Sequence, residues 1–213
     1  MTDVIRPPIP ARFPADQVRG GLAMPYVNVR LADGGVDLRS QHHARVVECW
    51  NQGRCQVCGQ DIDKREGAAI VGGPAAIRDL VFGEPPMHRE CMVYATKACP
   101  ILAGRWTHFA SGPSLSERSR GKACYEPNCD CGGWVPTVDD APAHYGRPNH
   151  PWWVVFASDW SLAVRPDGVL HGGAVDPRGV AGARLVSDPE RGRVWERVED
   201  LHELRVMLLE EQG

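Results

Sequence analysis

Apolar and polar positions change rhythm several times along this chain, and each change predicts an element. Residues 25–40, PYVNVRLADGGVDLRS, hold two short alternating runs around Ala32-Asp33-Gly34-Gly35. Alternation at period two marks strands, and an Asp-Gly pair between them marks a hairpin. Ser40 then reads as the N-cap of a helix carrying Val46, Val47 and Trp50 on one face, with Gly53 as its stop. Residues 68–71 form a strand-like apolar run. PAAIRDLVF reads as a helical turn or a loop, and Glu84-Pro85-Pro86 as a break. MHRECMVYATKACP predicts a helix ending at Pro100. Residues 104–150 are poor in aliphatics and rich in Ser, Gly, Pro and Cys, which predicts few regular elements.

The strongest strand signal is PWWVVFASDWSLAV at residues 151–164, with Pro166-Asp167-Gly168 as a turn and further short strands through residue 186. Trp152 and Trp153 are neighbours on that strand, so they must face opposite sides. Val194, Trp195, Val198, Leu201, Leu204 and Leu208 recur at helical spacing, which predicts a closing amphipathic helix over the sheet.

These elements imply an α+β protein in four stretches. Residues 1–24 are a proline-rich extended arm, and residues 25–103 a first folded unit. Residues 104–150 are a Cys-rich loop region. Residues 151–213 supply a small antiparallel sheet with its C-terminal helix.

Composition narrows the chemistry. The 213 residues are 43% hydrophobic and 24% charged, as in a soluble globular protein. The net charge of −3 disfavours a domain that lives on phosphate contacts, so nucleic acid would need a local patch. Arg118, Arg120 and Lys122 form one candidate, with Arg6 and Arg12 of the arm. Such runs are more often solvated loops. The sequence shows no signal-peptide h-region and no apolar run of membrane-spanning length, so a cytoplasmic location without membrane attachment is expected. Eight cysteines in a reducing compartment point to metal or catalysis rather than disulfides.

The first cysteine pair is Cys55-x2-Cys58 followed by Gly59, and His88-x2-Cys91 lies downstream. A Cys-x2-Cys-Gly turn aims backbone N–H groups at its sulfurs. A His-x2-Cys pair at a helix start puts both ligands on the first turn, where the helix dipole favours thiolate. Four such ligands suit tetrahedral zinc, and knuckle, strands and then a ligand-bearing helix make a treble-clef-like arrangement. With all four positions filled by protein the site is closed and structural. The bland alternative is four buried residues with cysteines acting as small hydrophobes. An HNH-type nuclease needs a histidine between the ligand pairs, and residues 59–87 contain none. In a zinc deaminase the cysteine pair follows the His-x-Glu; here it precedes, and Cys91 takes the place of the water. Glu90 then reads as a first-turn carboxylate on the helix dipole.

Cys124, Cys129 and Cys131 form a second candidate cluster, with His108 favoured as fourth ligand over His144, His150 and Cys99. One or two zinc ions are thus expected. A water in the fourth place would make this the chain's one catalytic option, with Asp130, Asp139 and Asp140 as bases. Solvated loop carboxylates are the plainer reading. Cys49 and Cys99 read as core packing. Phosphate-loop, dinucleotide, nucleophile-elbow and H-E-x-x-H motifs are missing from the sequence.

RPPIPARF, RCQVCGQ, EPPMHRECMVYATKACPIL and CDCGGW together resemble a family of uncharacterised zinc-binding proteins of actinobacteria and their phages. The similarity runs from the arm through about Trp134, and more loosely into PWWVVFASDWSLAV. It implies a small zinc protein of mobile elements or their hosts, with Cys55, Cys58, His88 and Cys91 as ligands, and it implies no activity. The function expected is a non-enzymatic binding or regulatory module acting through protein contacts. A nucleic-acid-associated accessory regulator is the alternative, and a hydrolase with an open zinc at the second cluster is the third.

Overall fold

Backbone pairing assembles this α+β protein from small antiparallel sheets. A computed structural model describes residues 6–114, 127–131, 145–168 and 170–210. The first stretch folds into a short hairpin, β1 (Val18–Arg19) with β2 (Leu22–Ala23). β3 (Asn28–Arg30) and β4 (Val36–Gln41) pair across the Ala-Asp-Gly-Gly turn, as the alternation predicts. Helix α1 (His43–Gln52) follows, with Val46, Cys49 and Trp50 buried and Gly53 ending it in the left-handed region at φ 71°.

Ser40 does not cap α1. It lies inside β4, and its buried hydroxyl bonds the Asp37 carboxylate at 3.0 Å and the Ser114 hydroxyl at 2.5 Å. His42 is the residue before the helix, without a side-chain cap. A serine satisfied by a carboxylate across its own strand has no lone role to play at a helix end.

β5 (Ala68–Gly72) leads into α2 (Pro74–Asp79) and β6 (Val81–Phe82). After the Pro-Pro break, Met87 and Ala69 exchange both backbone bonds at 2.9 Å, and α3 (Arg89–Ala98) begins. The C-terminal part supplies β7 (Trp152–Ala157), β8 (Ser161–Val164), β9 (Leu170–Ala174), β10 (Val180–Asp188), β11 (Gly192–Val198) and helix α4 (Leu201–Glu210). The main sheet has the order β11-β10-β7-β5, and a second has the order β6-β9-β8.

The closing helix is shorter than its periodicity predicts. Residues 194–198 are strand, paired to β10 from Ala183↔Val198 to Asp188↔Gly192. VWERV fits period two as well as period 3.6, and β10 offers a ladder that an isolated helical turn cannot match. Asp200 then starts α4 by accepting from the backbone N–H groups of His202 and Glu203 at 2.7 and 3.0 Å.

The main sheet separates two cores. Val71, Val154 and Val186 face one side with Met87, Met92 and Tyr94. Ile70, Trp153 and Val155 face the other with Trp50, Ile77, Phe82 and Leu208. Trp152 packs on the first side and Trp153 on the second, as adjacent strand positions must. On the second side the Gly172-Gly173 pair of β9 lets large groups approach. A Cβ on Gly173 would fall 2.1 Å from Trp50 Cζ3.

The N-terminal segment covers α3 on the first side. Phe13 packs on Tyr94, with ring centroids 6.1 Å apart. The Tyr94 hydroxyl accepts from the Ala23 N–H at 2.8 Å. Arg12 forms an ion pair with Glu90, and Gln60 donates to the Arg12 carbonyl at 2.6 Å.

Candidate metal centre

The knuckle is built by local backbone bonds. Gly59 N–H reaches the Cys55 carbonyl and Cys55 N–H the Gln60 carbonyl, both at 2.8 Å. Gly59 sits at φ 75°, and a Cβ there would lie 2.8 Å from Tyr26 Cδ2, so only glycine closes this turn against Tyr26. The knuckle is tied to the Pro-Pro segment. Gln56 N–H donates to the Pro86 carbonyl at 2.9 Å, and the Gln56 side chain donates to the Pro85 carbonyl. Pro86 is followed by Met87, which bridges to Ala69 of β5, and by His88 at the head of α3. The two ligand pairs are thereby locked face to face.

Cys55, Cys58, His88 and Cys91 offer four donor atoms within 4.8 Å of one another, all buried. His88 Nδ1 lies 3.4 Å from Cys58 Sγ and 4.0 Å from Cys91 Sγ. A tetrahedral ion with bonds of ~2.3 Å to sulfur and ~2.0 Å to nitrogen needs S···N edges of ~3.5 Å. The observed distances bracket that edge. His88 Nε2 donates to the Asp61 carbonyl at 3.1 Å, which leaves the Nδ1 lone pair turned toward the sulfurs. Asp61 itself is placed by the bridge to Arg54 on the return leg of the knuckle, whose bonds run from Cys55 N–H to the Gln60 carbonyl and from Ile62 N–H to the Gly53 carbonyl. A backbone carbonyl carries no residue signature, so no spacing in the sequence points to it.

The cluster is poised to exchange protons for a cation. Burial opposes ionisation of Cys55, yet hydrogen bonds from Cys58, Cys91 and His88 outweigh it and hold its pKa well below that of an ordinary thiol. Burial also disfavours charge on His88, but hydrogen bonds to the Cys55 and Cys58 sulfurs prevail and raise the imidazole to about 9. Hydrogen bonds to Cys55 and Cys58, and then burial, push the Cys91 thiol up. A metal bound through His88 and Cys91 must displace a proton from each, so affinity is expected to fall by at least about 100-fold for each pH unit below 9. Competition titrations across that range check this, and a flat profile would show that His88 and Cys91 are not ligands.

The second cluster is only partly within the described residues. Cys124 lies outside them, as do Arg118, Arg120 and Lys122. Cys131 is buried against Val29 with Cys129 beside it. His108 is exposed, bridges to Pro148 and has its Nδ1 3.0 Å from the Thr107 hydroxyl. Among the described residues His108 does not gather with Cys129 and Cys131 into a ligand group. Asp130 is a tie rather than a solvated carboxylate: it accepts from the Arg30 N–H and pairs with Arg45. Cys49 is fully buried, and burial pushes its thiol far above the ordinary range, as core packing requires. Cys99 is partly exposed and its thiol is also raised by burial. Neither is in a disulfide. Among the described residues no helix is long and apolar enough to cross a membrane.

Compared with models of known protein families, with curated proteins and with solved structures, the chain matches none.

Proposed function

We propose that this protein is a zinc-stabilised, non-enzymatic binding protein whose Cys55, Cys58, His88 and Cys91 close a structural, treble-clef-like site. One observation carries this reading: three sulfurs and one oriented imidazole converge in a buried space in which protein supplies all four ligands. Three thiolates with one imidazole suit zinc, and a closed site has no position for water or substrate. The treble-clef reading is supported by the order of parts: knuckle, the antiparallel Ala69–Met87 pairing, then α3 carrying the second ligand pair.

Protein contacts rather than chemistry follow from a closed centre. Exposed Val206, Met207 and Leu209 on α4 give apolar surface for them. The resemblance to zinc proteins of actinobacteria and their phages supports an accessory role toward a host or phage protein. The cytoplasm suits Cys49, Cys55, Cys58, Cys91 and Cys99, none of which is disulfide-bonded. The nucleic-acid reading loses Arg12 to its pair with Glu90, and among the described residues the hydrolase reading finds no ligand set assembled around His108.

X-ray absorption at the zinc edge tests the proposal, in a Cys129→Ser background that silences the second cluster. The expected shell is three sulfurs and one nitrogen. An oxygen in that shell would mean an open site and would overturn the structural reading.

A further inference from the structure

β11 is the outermost strand of the main sheet and runs for seven residues. Among the described residues, 193–198 make no backbone hydrogen bond beyond the ladder with β10. The turn at Gly104 closes over the start of the strand, where an added Cβ would lie 2.2 Å from the Gly192 carbonyl carbon. Backbone open to a partner therefore spans residues 194–198. Trp195 stays 41% exposed, with the Arg184 guanidinium stacked on it, 5.2 Å from the ring centroid. Open strand edges invite pairing, and proteins usually blunt them with charge. This edge is charged, but its charges are arranged.

We infer that β11 pairs antiparallel with β11 of a second copy of this chain, joining two four-stranded sheets into one. A two-fold axis normal to the sheet keeps each face continuous, so opposed residues must share parity in sequence number. Centred on Trp195, that register sets Arg193 against Arg197; centred on Val194, it sets Arg191 against Arg197. Both oppose like charges. Centred on Glu196, it sets Arg193 against Glu199, Val194 against Val198 and Trp195 against Arg197 of the second copy. These are an ion pair, an apolar pair and a cation–π pair, each occurring twice. The two Glu196 side chains meet at the axis, and each is already neutralised by its own Arg191 at 2.7 and 3.1 Å. The charge pattern thus disfavours the registers centred on Val194 and Trp195 and favours the one centred on Glu196.

Sedimentation of the full zinc-loaded chain from about 1 μM to about 1 mM tests this, a range that brackets a small two-fold interface. A concentration-dependent dimer is expected. Arg193→Glu and Glu199→Arg should each weaken it by about tenfold or more, and the double exchange should restore it to within about threefold. Zinc content rests on none of these residues, so the metal reading survives a failure here. A wild-type chain that stays monomeric throughout would overturn the inference and leave the edge to an extended segment of another protein. A dimer indifferent to the single exchanges, or not restored by the double one, would overturn it equally.

Discussion

Cys55→Ser is expected to give a chain that neither holds zinc nor completes its fold. The site is where three parts of the first core meet: the knuckle, the Pro85–Met87 link and the head of α3. Cys55 and Cys91 are fully buried and Cys58 nearly so. Without the ion, the remaining donors stay dehydrated with no cation to satisfy them. Structural zinc contributes about 10–16 kcal/mol of apparent binding energy in small metal-folded domains, against a net stability of about 5–15 kcal/mol for a whole protein. Its loss is comparable with the entire margin. Metal analysis, far-UV circular dichroism and amide exchange in α3 check this. Zinc-free protein with a broad or missing thermal transition and unprotected α3 amides is expected, and a strong chelator should do the same to the wild type. A sharp melt within about 3 °C of wild type, on a scale where 1 kcal/mol shifts a chain of this size by about 2–4 °C, would sink the structural role.

Trp50→Ala should be the most damaging single change on the opposite side of the sheet. Trp50 is 2% exposed and central to the second core. It meets Trp160 edge-on with centroids 6.2 Å apart, and the Trp160 indole N–H donates to the Trp50 carbonyl at 3.1 Å. Its six-membered ring rests on Gly173, where β9 offers no side chain. Truncating such a residue removes both transfer energy and packing, about 3–5 kcal/mol. That corresponds to a fall in Tm of about 6–20 °C. Zinc content should be unchanged, because the two cores lie on different faces of the sheet. A coupled variant sharpens the test. Gly173→Ala alone forces a clash with Trp50, whereas beside Trp50→Ala its methyl enters the vacated space. The second change should therefore cost much less in the double variant than by itself. Additive losses would show that Gly173 is not kept small by Trp50.

Much of this was legible in the residues. The hairpin at Ala32–Gly35, the stop of α1 at Gly53, the break before Met87 and the spacing within each ligand pair rest on neighbours within a few positions. Turn chemistry, capping and ligand spacing act over that range, so they can be read along the chain. The opposed tryptophans at 152 and 153 follow from strand geometry alone. The choice between strand and helix at residues 194–198 could not be read in this way. Both periods fit the same side chains, and the ladder with β10 decided between them. The role of Ser40 turned on Asp37 and Ser114, which the fold brings to it. β5 could have belonged to any sheet until β7 paired with it. The orientation of His88 depends on a backbone carbonyl at Asp61 that carries no side-chain signature. The sequence by itself determined which atoms can bind a metal and where the chain must turn, because those are local properties. Which strand finds which partner, which face Trp50 fills and which nitrogen of His88 faces the sulfurs were decided by tertiary structure. Each of these depends on contacts between residues far apart in the chain, and their energies exist only once the fold has brought them together.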